Sequence, residues 1–240
     1  MTILLLLVLL GLGAGTLTTI AGMGGGVLLV LALSLATDPR TALVATAPAL
    51  LLGNAHRFWL FRREVAWRVA RPFLLGALPG SLFGGLLLPH VPVAALAWLM
   101  LAMTALGVAK ALGAWTWVPK ASAIAPASFV VGGLAATSGG AGVLAAPLLM
   151  AAGLTGLPYI ATGAAGAAAM HLGRIFSYGA SGLFDRTLLL YAAVLAITIL
   201  SGNLAGRWLR KEIGESVSGR IEIASLVACV ALAVVGVGHR

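Results

Sequence analysis

Seven apolar runs of spanning length recur along the 240 residues, at about 2–20, 41–61, 69–88, 93–113, 157–179, 187–206 and 221–238. Roughly 20 apolar residues are needed to cross the hydrocarbon core as a helix. Strands of a membrane barrel would instead alternate over about ten residues, so the chain reads as helical. Only 9% of the residues are charged, against about 25% in a soluble domain. The expectation is an all-α polytopic membrane protein, a single transmembrane domain over 1–240. The opening MTILLLLVLLGLGAG has no basic region and no cleavage site before a polar chain, and reads as a retained first helix.

Three shorter apolar pieces remain, at about 27–36, 122–136 and 143–153. At about 1.5 Å per residue, ten residues reach only half of the hydrocarbon thickness. They read as half-helices or tilted short helices, and whether they re-enter or span is left open by the sequence. Glycine runs precede two of them, Gly22-Met-Gly-Gly-Gly26 and Ser138-Gly-Gly-Ala-Gly142. These runs belong to an internal repeat. GGGVL at 24–28 returns as GAGVL at 140–144, a shift of 116 (140 − 24). Ala45-Thr46 returns as Ala161-Thr162 at 116, Asn54-x-x-Arg57 as His171-x-x-Arg174 at 117, and Gly80-x-x-x-Gly84 as Gly202-x-x-x-Gly206 at 122. Constant order and slowly growing spacing point to duplication, with repeat 1 over 1–113 and repeat 2 over 122–238.

The basic residues orient the two halves. Arg62, Arg63, Arg68 and Arg71 lie in the 62–71 loop, Arg207, Arg210, Lys211 and Arg220 in the 207–220 loop, and Lys110 and Lys120 flank the central connection. The positive-inside rule puts all three on the cytoplasmic side of a cell membrane. That requirement fails if 143–153 is a surface loop, because each half then crosses four times and 207–220 falls outside. It holds if 122–136 and 143–153 form a hairpin returning to its own side. Each half is then a glycine-turn hairpin plus three transmembrane helices, the two are inverted, and both termini are external. Such inverted repeats characterise secondary transporters, whose sites lie near the midplane at broken helices. The net charge of +9 is explained by these loops and implies no nucleic-acid partner.

Candidate substrate-binding residues follow from the repeat. A short helix starting after each glycine run offers free N–H groups and a positive dipole end to an anion. This makes Gly22, Gly24, Gly25, Gly26, Thr137, Ser138, Gly139, Gly140 and Gly142 candidates, with close helix packing as the competing reading of the glycines. Thr18 and Thr19 can add hydroxyls. Asn54 and Arg57 share one helix face, as do His171 and Arg174. Arg57, beside Phe58, Trp59 and Phe61, reads equally as a side chain snorkelling to the interface. Arg174 falls where the positive-inside rule gives no reason for it, and a guanidinium is a fork for oxyanions. His171, deep in its helix, can donate to an anion, carry a proton or bond a neighbouring helix. Asp38, Glu64, Asp185, Glu212, Glu215 and Glu222 all read as loop or helix-end residues, so no carboxylate is expected deep in a span. Cys229, the one cysteine, can form neither an internal disulfide nor a thiolate metal cluster.

The duplicated glycine motif resembles the sulfite exporter TauE/SafE family, also called the 4-toluene sulfonate uptake permeases. There each half opens with a glycine-rich stretch and an apolar segment that often holds a proline. SGGAGVLAAPLL at 138–149 fits this pattern, and GMGGGVLLVLAL at 22–33 departs from it with Leu31 where the second copy has Pro147. The resemblance spans about 12 to 238 and implies a permease for small sulfur-containing or carboxylate anions such as sulfite, sulfonates or sulfoacetate.

The implied partners are a small anionic substrate and the lipid bilayer. The two Gly-x-x-x-Gly pairs can pack helices within a chain or in a homodimer. No metal, cofactor or catalytic residue is expected, and without a G-x-x-x-x-G-K-[ST] loop the chain does not power itself with ATP. Two rival classes stand beside transport. An intramembrane serine protease would use Ser138 and His171, although these lie only 33 positions apart (171 − 138) and Ser138 is Gly22 in the other repeat. A non-transporting scaffold subunit would move nothing in vesicles.

Overall fold

The computed structural model describes residues 2–22, 24–111 and 120–238. Ten α-helices occur among them: α1 (Thr2–Ala21), α2 (Gly25–Ala36), α3 (Pro39–Leu60), α4 (Trp67–Leu87), α5 (Val93–Ala111), α6 (Ile124–Ser138), α7 (Ala141–Ala151), α8 (Gly156–Ala180), α9 (Arg186–Glu212) and α10 (Glu215–Gly238). The seven long and three short apolar segments each became one helix.

Local chemistry sets the helix starts. Asp38 caps α3, accepting from the backbone N–H of Arg40 at 2.9 Å and Thr41 at 3.1 Å, with Pro39 in the first turn. Asp185 accepts from Leu188 N at 2.7 Å and starts α9. The chain reverses between α1 and α2 through Gly22 and Gly24, at φ of 89° and 90°, and between α6 and α7 through Gly139 at φ 72°. These are left-handed conformations that favour glycine. The two reversals differ in what leads into them: α1 has 20 residues and α6 only 15.

Four helices are long and apolar enough to cross a membrane by length and composition, within 3–21, 67–90, 186–212 and 217–238. Helices α3 and α8 are also long, at 22 and 25 residues, yet fall outside that group. They pack against each other at the centre, with α9 beside α3 and α4 beside α8. Small and polar residues replace the lipid-facing coat there. The outer helices carry that coat: Leu5, Leu9, Leu75, Phe83, Leu190 and Ile197 are all more than half exposed, a surface that suits lipid. Trp59 and Trp208, near the last turns of α3 and α9, are also exposed, where amphipathic rings sit at an interface.

Glycine contacts define the closest pairs and their directions. On α1 and α9, Gly11 meets Thr198, Gly15 meets Ile199 and Gly202, and Gly206 meets Thr16 and Thr19, so the pair is parallel. On α4 and α6, Gly76 meets Ala125, Gly80 meets Phe129 and Gly84 meets Gly133, also in parallel. A Cβ on Gly84 would come within 2.6 Å of Gly133 Cα, and one on Gly202 within 3.1 Å of Gly15 Cα. Both Gly-x-x-x-Gly pairs are therefore occupied within the chain. Helix α3 runs parallel to α9, because Gly53 O meets Asn203 and His56 lies beside Asn203 and Arg207. It runs antiparallel to α8, because Leu43 meets Arg174 while Arg57 neighbours Tyr159. The ends of α3 and α9 thus bring the basic segments 62–71 and 207–220 to one end of the bundle; expected as loops, they lie largely within the start of α4 and the adjoining ends of α9 and α10.

One expectation is corrected here. Helix α10 begins at Glu215, six residues before the apolar run expected at 221, and its candidate span begins at Val217. Glu222 therefore lies within a helix long and apolar enough to span, and is half-buried, not at a helix end.

Candidate functional site

A cavity opens beside the α1–α2 turn, lined by parts of α1, α3, α7, α8 and α9 together with Gly22, Gly24, Gly26 and Gly139. Its polar lining is Thr18, Asn54, Arg57, Tyr159, His171 and Asn203. Water centres can occupy about 40 Å³ of it. A single water needs about 10–15 Å³ on that measure, so the space suits a few waters or one small anion.

Arg57 is turned inward from the last turn of α3, not out to the interface, and is only 3% exposed. Its Nη1 donates to Thr18 O at 2.9 Å and its Nη2 to Asn54 Oδ1 at 2.6 Å. Its Nε–H is buried with no partner. Asn54 is aimed by its own amide, whose Nδ2 donates to Leu50 O at 2.7 Å. A guanidinium held by two fixed acceptors, with a third donor unused, is prepared for an anion. The start of α2 meets the same space. Gly24 is its N-cap, no side chain caps it, and the first-turn N–H groups have no acceptor within the helix. Positive dipole and positive side chain therefore converge.

His171 lines the cavity from α8. Its Nδ1 lies 3.1 Å from Arg174 Nη1. A guanidinium can only donate, so Nδ1 accepts and the ring proton sits on Nε2, leaving His171 a neutral donor.

Arg174 itself does not line the cavity. It is fully buried, with Nε donating to the Tyr178 hydroxyl at 3.1 Å and Nη2 to Leu43 O at 2.8 Å. Tyr178 in turn donates to Ala136 O. The cluster joins α8 to α3 and α6. Thr137 and Ser138 are also absent from the lining. Both donate to Leu134 O of their own helix, at 3.1 Å and 2.8 Å. Ser138 and His171 thus have other partners, and no Ser–His hydrogen bond forms among the described residues. Gly25 packs on α1, where a Cβ would come within 3.0 Å of Thr18 N. Gly140 caps α7 without reaching the cavity, and the surroundings of Gly142 lie outside the described residues.

Two polar lining residues escaped the sequence reading. Asn203 accepts from the Thr19 hydroxyl at 3.0 Å and donates to Gly53 O at 2.8 Å, holding α9 to α1 and α3. Its signal was present, a lone amide inside an apolar run. Tyr159, in the first turn of α8, is 6% exposed and faces the α1–α2 turn: a Cβ on Gly22 would meet its ring at 2.8 Å. Nothing local marks that approach.

The described residues hold no group of three or more His, Cys, Asp or Glu arranged for a metal. The model for the sulfite exporter TauE/SafE family matches residues 7–235. No curated protein and no solved structure matches the chain. A helical bundle with a lipid-suited coat, a cavity with several polar lining residues and a family match over nearly all its length identify the chain as a member of the sulfite exporter TauE/SafE family of membrane transporters.

Proposed function

We propose that this protein carries a small anion of the sulfite or sulfonate type across the cell membrane by alternating access, binding it in the cavity between Arg57, the start of α2 and His171. The observation that carries this reading is the buried Arg57 among the cavity's lining residues, with its Nε–H unpartnered. A cation sealed among glycines and alanines, with no carboxylate bonded to it, lacks a counter-charge that an anion would supply. The neutral Nε2–H of His171 and the first-turn N–H groups of α2 add donors around it. Oxyanions such as sulfite and sulfonates accept charge-assisted hydrogen bonds from donors of this kind. The family match supports the sulfur-containing class.

Two inverted units, 1–113 and 122–238, form the moving parts in this reading. Helix directions support it. Helices α1 and α3 run with α9, while α6 and α8 run with α4. Corresponding helices of the two halves therefore point oppositely. Reciprocal packing of α1 on α9 and α4 on α6 lets the halves interlock around the central α3–α8 pair. The end with the 62–71 and 207–220 segments is cytoplasmic by charge, and both termini are external.

The test is uptake of radiolabelled sulfite, methanesulfonate and acetate into vesicles holding purified protein. Saturable uptake of the sulfur oxyanions, weakened about 10–100-fold in Arg57→Gln, is the expected result. Absence of flux for all three in vesicles holding folded protein would overturn the reading in favour of a scaffold.

A further inference from the structure

Arg174 is a fully buried cation, and it stands one side chain away from the anion cavity. Three neutral acceptors hold its guanidinium. Nε donates to the Tyr178 hydroxyl at 3.1 Å, Nη2 to Leu43 O at 2.8 Å and Nη1 to His171 Nδ1 at 3.1 Å. Tyr178 donates onward to Ala136 O, which leaves its oxygen as the acceptor for Nε. With Nε and Nη2 tied, the plane of the guanidinium is fixed and Nη1 is aimed at the imidazole. Of this cluster only His171 lines the cavity, and it is 2% exposed. Its Nδ1 is occupied by Arg174, and its Nε2–H bonds no other group among the described residues.

The charged and titratable groups on the elements around His171 are few. Helices α3, α4, α6 and α7 pack against α8. From α3 come Arg57, which shares the cavity lining, His56 beside it, and Arg40 in the first turn. From α4 come Arg68 and Arg71, both exposed. Helices α6 and α7 carry none. The segment 62–64 meets α8 with Arg62, Arg63 and Glu64, all exposed. On α8 itself are Tyr159, Arg174 and Tyr178. Glu222 of α10 acts on Tyr159, which lies about 18 Å along the helix from His171 at 1.5 Å per residue. No carboxylate lies on α3, α4, α6, α7 or α8. A proton on Nδ1 would turn it from acceptor to donor against Arg174. It would also add a positive charge beside a buried guanidinium with no carboxylate at hand to balance it.

We propose that Arg174 is a positioning residue of the anion site: by occupying Nδ1 it holds His171 as a neutral ring with its N–H at Nε2, and so makes anion recognition independent of pH. The inference rests on the anion site proposed above. Which ring nitrogen carries the proton is set by the bond that the other one makes. Without Arg174, Nδ1 is open to a proton, and the ring becomes a charged donor whose hold on an anion strengthens as pH falls. With Arg174 in place, the cavity offers the anion the charge of Arg57 and a neutral N–H from His171 at acid and alkaline pH alike. The two arginines then act on one ligand in different ways, Arg57 by contact and Arg174 through the ring it fixes.

Methanesulfonate, which carries no titratable proton near neutral pH, is the probe. In purified wild-type protein its affinity should change by less than about twofold from pH 8 to pH 5.5, because no ring proton is gained. In Arg174→Met it should rise about tenfold over the same range, the gain from charging one donor. Arg174→Lys, which keeps a charged donor, should return the flat profile. His171→Gln added to Arg174→Met should abolish the rise, which assigns the pH response to the ring. A flat profile in Arg174→Met, or wild-type affinity that climbs as pH falls, would overturn the proposal and leave Arg174 a structural clamp alone. If Arg174→Met does not fold, the ring nitrogens of ¹⁵N-histidine-labelled wild type decide, with His171→Gln identifying its signals among the four histidines. A bare Nδ1 and a protonated Nε2 from pH 8 to pH 5.5 are expected, and a proton on Nδ1 within that range would overturn the proposal. Absence of methanesulfonate and sulfite binding in wild type at every pH would remove the anion reading itself, an outcome distinct from binding that follows pH.

Discussion

Arg57 and Arg174 occupy matching places on the two central helices, each three residues after a polar partner, and they have opposite environments. Arg57 lines the cavity, bonds Asn54 and Thr18 O and leaves its buried Nε–H without a partner. Arg174 spends its donors on Tyr178, Leu43 O and the ring of His171. The difference lies in the neighbours. Around Arg57 the chain supplies the glycine turn and small residues, with Tyr159 close by. Around Arg174 it supplies the Tyr178 hydroxyl and the buried carbonyl of Leu43 at bonding distance. A buried guanidinium with all its groups satisfied organises a core, whereas one with a group left over attracts a ligand. The same motif thus yields a clamp in one half and a binding group in the other.

Four substitutions and one control would break or sharpen that contrast. Arg174→Gln should cost the most stability, about 2–3 kcal/mol, because it strips a charge-assisted network from a buried core. A lower Tm with near-normal anion affinity in the folded fraction would show this, and an unchanged Tm with lost affinity would move Arg174 into the site. Arg57→Gln should leave the Tm close to wild type and weaken anion uptake by about 10–100-fold, the value of one charge-assisted contact. Vesicle uptake over a concentration series measures it. Gly22→Ala should cost about 1–2 kcal/mol, because its φ of 89° penalises any Cβ and the added methyl would meet Tyr159. Gly179→Ala, with nothing within 4 Å of the added methyl, is the control in the same melting experiment. Tyr178→Phe should have the smallest effect, about 1 kcal/mol, by removing the hydroxyl that links Arg174 to Ala136 O. If this variant also gains anion affinity, Arg174 is a second site held closed by Tyr178.

Much of the architecture was legible in the chain. Helix number and approximate limits follow from apolar run length, and the two glycine reversals follow from residues tolerant of positive φ. Asn54, Arg57, His171 and several glycines were marked by being polar or small in apolar surroundings, and the cavity gathers them. Asn203 carried the same mark and was overlooked beside its glycine neighbours. Glu222 was misplaced because hydropathy locates the apolar part of α10, while the helix itself continues through Ser218 and Gly219 to Glu215.

By itself, then, the sequence determined the membrane-helical class, the family and the faces on which polar residues lie. These depend on composition and on the 3.6-residue period, both local properties. Only the tertiary structure decided which arginine lines the cavity and which serine is bonded back to its own helix. Those outcomes depend on groups distant along the chain, such as Leu43 O meeting Arg174 across 131 residues. A periodic pattern specifies the direction a side chain takes from its own helix; the packing of the other helices decides what it finds there.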